Sequence, residues 1–423
     1  MSAFHSNVRS KNPRFLLFGY NGANNTGAEA LLQSDIVDLR SVVGPDADLT
    51  VPTLNEANLR RYLVEDRHLH IAPIPPIFFS EVRRLVERTD VVLLVEGSTY
   101  MDTWTTALLW AFLWTTKCAH DAGKPCIAYA VDAGELRKSM NRTLIRRYGG
   151  LADLIVLRSS AAKNRLRNWG INTPIEVTAD NAFTFIPDPS DNGWIKREWP
   201  DSYSNLVGLA VVDFYLWPVV IRPFGRRDHC YRWPYFFSRS SSRCRSTLQL
   251  ADTYASLVDW FVREHDKHVA LICMEQLDEP LAREIMKRLE NPERTKIFSS
   301  RRYNASQMTV LLRELDLLVT SRFHASVLSL EAAIPQIAVG HDLRLKTLYA
   351  DLGLLEKYFL QSESTNLLPA LKERSSQLLN DPHAVDDLLK RGYVEHLSRA
   401  RNNRKILRRF LCNHGFDVVD FHE

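Results

Sequence analysis

The chain has 423 residues, 45% of them hydrophobic and 25% charged, with a formal net charge of +4. That length suits two domains, and the composition excludes a disordered or fibrous chain. With 54 basic against 50 acidic side chains, charge alone makes no case for nucleic acid.

The opening residues, MSAFHSNVRSKNPR, are polar and hold no apolar core of the kind a signal peptide needs. The first strand is expected at 15–18, ending at Gly19. The segment after it, YNGANNTGAEALL, places Asn21, Gly22, Asn25 and Gly27 in a loop whose backbone can approach a ligand. From Ala28 the spacing of Leu31, Leu32, Ile36 and Leu39 predicts a helix. A second strand is expected at 49–51 and a charged helix at 55–65. VVLLV, 91–95, reads as a buried strand and runs into Glu96, Gly97 and Ser98. TTALLWAFLWTT, 105–116, is well short of the roughly 20 residues that cross a bilayer and predicts a buried helix, with Trp104 at its start.

Strands at 127–131, 154–157 and 175–177 alternate with helices at 137–148 and 161–169, the pattern of a doubly wound parallel sheet. The polar, proline-bearing segment 187–200 predicts the linker, giving domains at 1–195 and 203–423. A strand at 207–212 opens the second domain. Residues 215–245 then break the rhythm with seven arginines and a run of aromatics that includes Trp217 and Trp233, Asp228 being the only acid. A loop that long inside a domain is usually functional or disordered, and this one suits stacking on sugar rings or an interface. After it come a helix at 248–264, strands at 269–273 and 296–298, and helices at 280–289 and 305–314. The chain closes on the basic helical segment RARNNRKILRRF, which suits a membrane surface or a solvated face. Six cysteines stand without metal-ligand spacing, as expected of reduced thiols in a cytoplasmic protein.

The densest chemistry lies in 316–346. A buried strand at 315–319 leads through Thr320 and Ser321, read as helix N-caps, into a helix that Pro335 stops before a strand at 337–339. Arg322 and His324 fall in the turn after the strand, where a parallel sheet places its ligands. An arginine fork beside a histidine suits an anionic substrate and acid–base chemistry.

Three stretches together with a fourth resemble the polysaccharide pyruvyl transferase family. GYNGANNTGAEALL is similar to its glycine-rich opening at Gly27, Glu29, Ala30 and Leu32. VVLLVEGSTYMD stands in the place of its glycine-rich turn, although Glu96-Gly97-Ser98 replaces the usual three glycines. SRFHASVLSLEAAIPQIAVGHDLRLK is similar to its signature block at Arg322, His324, Ala325, Pro335, Asp342 and Lys346. IVLRSSAAKNRLRNWGI matches a further segment at Arg158, Ser160, Leu166 and Gly170.

The resemblance implies a GT-B-like α/β fold, two Rossmann-like domains facing a cleft. It implies phosphoenolpyruvate as co-substrate, no metal or other cofactor, and a glycan or lipid-linked saccharide as acceptor. The expected product is a pyruvate ketal made in the cytoplasm; the basic C-terminal segment leaves room for peripheral contact at the inner membrane face. His324 is the expected proton donor. Arg322, the backbone of Phe323, Arg158 and Arg222 are the expected donor contacts. Arg222 enters because the first strand of the second domain lacks the family's arginine. Asn21, Gly22, Asn25, Gly27, Glu29, Glu96 and Ser98 are the expected acceptor or loop contacts. Two other readings remain. One is a GT-B glycosyltransferase holding a nucleotide sugar through Glu331. The other is a silent relative binding glycan or membrane through its arginine-rich segments.

Overall fold

The computed structural model describes residues 12–103, 105–202, 205–215, 219–340 and 342–419, so Trp104 and Trp217 lie outside the described residues. Aliphatic runs with no polar face form the central strands, as expected where helices cover a parallel sheet on both sides. Seven such strands make the first sheet: β1 (Arg14–Phe18), β2 (Asp48–Thr53), β3 (Leu69–Pro73), β4 (Val91–Leu94), β5 (Cys126–Val131), β6 (Leu154–Leu157) and β7 (Ile175–Val177). Their order is β3-β2-β1-β4-β5-β6-β7, with β1 parallel to both β2 and β4. The strand order therefore reverses direction at β1 and β4. The loops leaving those two strands, 19–25 and 95–99, open at that reversal.

The second sheet uses β8 (Leu206–Ala210), β12 (His268–Cys273), β13 (Thr295–Ser299), β14 (Leu317–Thr320), β15 (Gln336–Gly340) and β16 (Phe359–Gln361). Its order, β13-β12-β8-β14-β15-β16, reverses at β8 and β14. Arg322 and His324 leave β14 at that reversal. Between β8 and β12 lies a small antiparallel sheet of β9 (Val219–Ile221), β10 (Cys230–Arg232) and β11 (Tyr235–Phe237).

Several elements differ from the sequence expectation. LHIAP forms β3, invisible to a search for apolar runs because His70 and Pro73 interrupt it. The charged helix at 55–65 shrinks to Glu56–Leu59, capped by Asn55. The arginine-rich segment is not one long loop, since β9 to β11 order it and the next helix begins at Ser241 rather than at 248. Thr320 and Ser321 do not cap the helix Phe323–Ser329. Arg322 holds the N-cap position, and the Thr320 hydroxyl instead accepts from Arg322 N–H at 2.9 Å, closing the turn. The basic final helix, Asp386–Asn413, crosses back to the first domain. Leu407, Phe410 and Leu411 enter that domain's core, Arg404 pairs with Asp38 at 2.9 Å, and Arg399 donates to the Thr178 carbonyl at 2.6 Å. Those arginines are bound to protein rather than displayed to solvent. No helix among the described residues is long and apolar enough to cross a membrane.

The first helix, Thr26–Val43, is pinned between the two domains. Thr26 N–H donates to the Met274 carbonyl at 2.8 Å, and Ala30 and Leu31 enter the second domain's core. Glu29 is buried and accepts the Ala305 N–H at 2.8 Å, satisfying the start of the helix Ala305–Arg313. Burial pushes the Glu29 carboxyl up to about 8, against the pull of that N–H. A carboxyl raised in the folded state costs stability as pH climbs from its unfolded value toward its folded one. Between pH 5 and 8 the protein should therefore lose on the order of a few kcal/mol of stability through this group. Glu29→Gln keeps an acceptor for Ala305 and should flatten that part of a urea-melt pH profile. An unchanged slope in the variant would exclude Glu29 as its source.

Candidate active site

The two reversal points face each other across a cleft. From the first domain, Gly19, Tyr20, Asn21, Asn25, Gly27, Glu96 and Ser98 line it; from the second, Glu275, Ser321, Arg322, Phe323, His324, Asp342 and Arg344 do. The imidazole of His324 lies against the first turn of the helix Thr26–Val43, directly over Gly27. A Cβ on Gly27 would collide with that ring at Nδ1 and Cγ and stand 2.7 Å from Cε1. This contact is why a helix that would gain from alanine carries glycine there.

Burial pushes His324 down to about 3, assisted by the positive charge of Arg158. The imidazole is therefore neutral at physiological pH. Its Nε2 is buried without a hydrogen-bond partner among the described residues and lies 3.6 Å from the Asp180 carboxylate. That carboxylate also pairs with Arg158 and caps the turn 181–184 by accepting the Ala182 N–H at 2.8 Å. Asp180 is thus a loop cap and also the group that sets Arg158 beneath the histidine.

Arg322 is held on both sides. Its Nε donates to Asp278 at 3.0 Å and its Nη1 to Glu275 at 3.1 Å, while Nη2 also meets Asp278. Burial opposes its charge, but the two carboxylates hold the guanidinium well above its ordinary value. Glu275 itself is pushed up to about 7, by burial first and by Asp278 beside it, with Arg322 resisting. A carboxyl poised there takes or gives a proton when an anion enters.

The expected donor residues divide. Arg322, Phe323 and His324 line the cleft. Arg158 is buried one layer behind it, packed on Gly97, where no Cβ fits, with its guanidinium 5.4 Å from the Phe323 ring. Its Nε and Nη2 have no hydrogen-bond partner among the described residues, and burial brings it down to about 10. Arg222 sits on the far side of the small sheet, stacked over Phe236 at 4.9 Å, and is not brought to the cleft wall. Two arginines that sequence reasoning did not select are there instead. Arg344 is clamped by Asp342, with Nη2 to Oδ2 at 2.6 Å. Arg232 of β10 reaches across to the Leu54 carbonyl. Arg344 was legible in principle, two residues past Asp342 in the signature block. Arg232 was not, because only the hairpin fold turns it inward.

The loop contacts also divide. Asn21 lines the cleft and ties its loop down, donating to the Leu17 carbonyl at 3.1 Å and Pro52 at 3.2 Å. Asn25 caps the first helix through Ala28 N–H at 3.0 Å. Gly22 lies beneath, at φ 72°, where a Cβ would strike the Asn55 carbonyl at 2.6 Å. Glu29 points away into the domain interface, as described above. Glu96 accepts from Ser98 Oγ at 3.0 Å, and its Oε2 is buried without a partner among the described residues. Glu331 forms an ion pair with Arg313 at 2.6 Å and is not brought to the cleft wall. A nucleotide ribose in the cleft would not find it.

Solved structures similar to this chain share its fold. The Anabaena protein Alr3699/HepE, in a complex with UDP, is 13% identical with a TM-score of 0.54, over 95% of this chain and 100% of that one. The S. aureus MnaA–UDP structure is 12% identical with a TM-score of 0.59, over 96% and 98%. The UDP-GlcNAc 2-epimerase of Methanocaldococcus jannaschii is 11% identical with a TM-score of 0.58, over 95% and 99%. At these identities the likeness establishes the GT-B fold. No curated protein matches the chain. Residues 25–342 match the family described as polysaccharide pyruvyl transferase.

Proposed function

The chain belongs to the polysaccharide pyruvyl transferase family, and from that premise we propose that it moves the enolpyruvyl group of phosphoenolpyruvate onto a saccharide, forming a pyruvate ketal. The observation that carries the reading is the placement of His324, Arg322 and Arg344 on one wall of the cleft, with Arg158 behind them. A donor with a phosphate and a carboxylate needs several cationic forks, and each charge-assisted hydrogen bond contributes about 1.5–3 kcal/mol. In the reaction one acceptor hydroxyl oxygen bonds to the enol carbon while the methylene carbon takes a proton. The second hydroxyl then displaces phosphate from the same carbon; of the two hydroxyl protons lost, one is balanced by the proton taken up at carbon and the other leaves on the phosphate.

His324 is neutral at physiological pH, so it can donate to carbon only after gaining a proton. The negative charges of the donor supply the drive, raising the imidazole toward its ordinary value and raising Glu275 above about 7. Donor binding should therefore take up protons, and affinity should weaken as pH rises through the values these groups reach in the complex. Calorimetric titration of phosphoenolpyruvate in two buffers of different ionisation enthalpy measures that uptake. His324→Gln and Glu275→Gln divide it between the two groups.

The function itself is tested by incubating the protein with phosphoenolpyruvate and a panel of galactosides, glucosides and mannosides and following phosphate release. Release dependent on acceptor, with a product heavier by the pyruvate ketal, supports the reading. Silence across the panel combined with stabilisation by UDP or GDP would replace it with a glycosyltransferase.

A further inference from the structure

The three-stranded insertion carries a surface that the cleft chemistry leaves unused. Two of its turns meet, with Trp233 Nε1 donating to the Pro223 carbonyl at 3.1 Å. Together they display Phe224, 84% exposed, Trp233, 56%, and Ile221, 49%. The insertion also reaches the first domain, where the Tyr235 hydroxyl donates to the Pro76 carbonyl at 2.7 Å. That contact brings Ile77, 56% exposed, to the same rim. Pro76, Arg232 and Tyr235 line the cleft, so this apolar rim borders its mouth.

The charge of the insertion is predominantly positive, with seven arginines and one acid between 215 and 245. Arg226, Arg227, Arg239 and Arg245 are exposed on the insertion and the start of the following helix. Asp228 is the single acid between 215 and 245, and Arg226 already engages it at 3.1 Å. The final helix, by contrast, has Arg399, Arg404 and Arg409 bound to the first domain. The insertion thus presents an exposed cationic surface beside the cleft mouth.

From these observations we infer that the rim docks on an anionic lipid bilayer, with the cleft opening toward the membrane surface. Phe224, Ile77 and Trp233 enter the boundary between headgroups and acyl chains, and the arginines meet lipid phosphates. A soluble glycan fits this surface less well. Exposed phenylalanine and isoleucine offer a sugar no hydrogen bond, whereas tryptophan with flanking arginine is the composition of a membrane interface. The inference is independent of the chemistry in the cleft, because docking is read without turnover.

The test is sedimentation of the full chain with vesicles of phosphatidylcholine alone and of phosphatidylcholine mixed with phosphatidylglycerol. We expect partition to the mixed vesicles only, weakening with salt. It should fall about tenfold or more in Phe224→Ser/Trp233→Ser and in Arg226→Gln/Arg227→Gln. Both variants should keep the parent circular dichroism and its phosphate release with a soluble acceptor, since none of these residues lines the cleft. Absence of partition, equal partition to neutral vesicles, or partition that both variants retain would each overturn the docking. So would loss of vesicle binding to a competing soluble acidic polysaccharide, which would assign the rim to glycan.

Discussion

Replacing His324 with alanine should lower phosphate release from phosphoenolpyruvate by about 10²–10⁴-fold, the contribution of a placed general acid. Donor affinity should change by only a few-fold, because the arginines hold the anion. The imidazole packs over the helix turn at Gly27, and its buried Nε2 has no hydrogen-bond partner among the described residues. Its proton has to arrive with the donor, so the rate of the parent protein should decline as pH rises through the value His324 reaches in the complex. In His324→Ala that limb should vanish. Asp180→Asn offers a sharper control. It removes the charge that holds Arg158 beneath the ring and stands 3.6 Å from Nε2, without touching the cleft wall. The pH limb should then shift to lower pH, since a cation loses its counter-charge next to the imidazole. Rates that stay at the parent level in His324→Ala would remove the histidine from the chemistry.

The parallel sheets and their reversal points were legible because short aliphatic runs such as VVLLV and LLVT, alternating with helical patterns, fit strands covered on both faces. His324 and Arg322 were legible for the same reason, since a polar residue directly after such a run falls at the sheet's ligand edge. The partners of those residues were not. Glu275 and Asp278 lie more than forty positions earlier, after β12, and the pairing of β8 with both β12 and β14 brings their turn beside Arg322. Arg222 looked like a donor ligand because an arginine was missing from β8, yet the twist of the hairpin turns it onto Phe236 and turns Arg232 inward. Glu29 matched a motif position but serves the domain interface, where its partner is a backbone N–H of another helix. Spacing reports which face a residue occupies; it does not report which distant element that face meets.

Gly27 supplies the second large effect. In the first turn of a helix, replacing glycine with alanine normally gains up to about 1 kcal/mol. Here the added Cβ would collide with the His324 ring, and both partners are embedded between two buried cores, so neither can yield cheaply. Gly27→Ala should therefore destabilise the protein by about 1–3 kcal/mol. It should also cut turnover about 100-fold, because an imidazole displaced by around 1 Å no longer meets the methylene carbon. The decisive measurement is the double variant. With His324 also truncated to alanine, the space over residue 27 opens, and the same substitution should change sign, raising stability relative to His324→Ala alone. Urea melts of the four proteins give the coupling directly. A Gly27→Ala cost that persists unchanged in the His324→Ala background would place the strain elsewhere in the helix and separate the glycine-rich loop from the histidine it is proposed to seat.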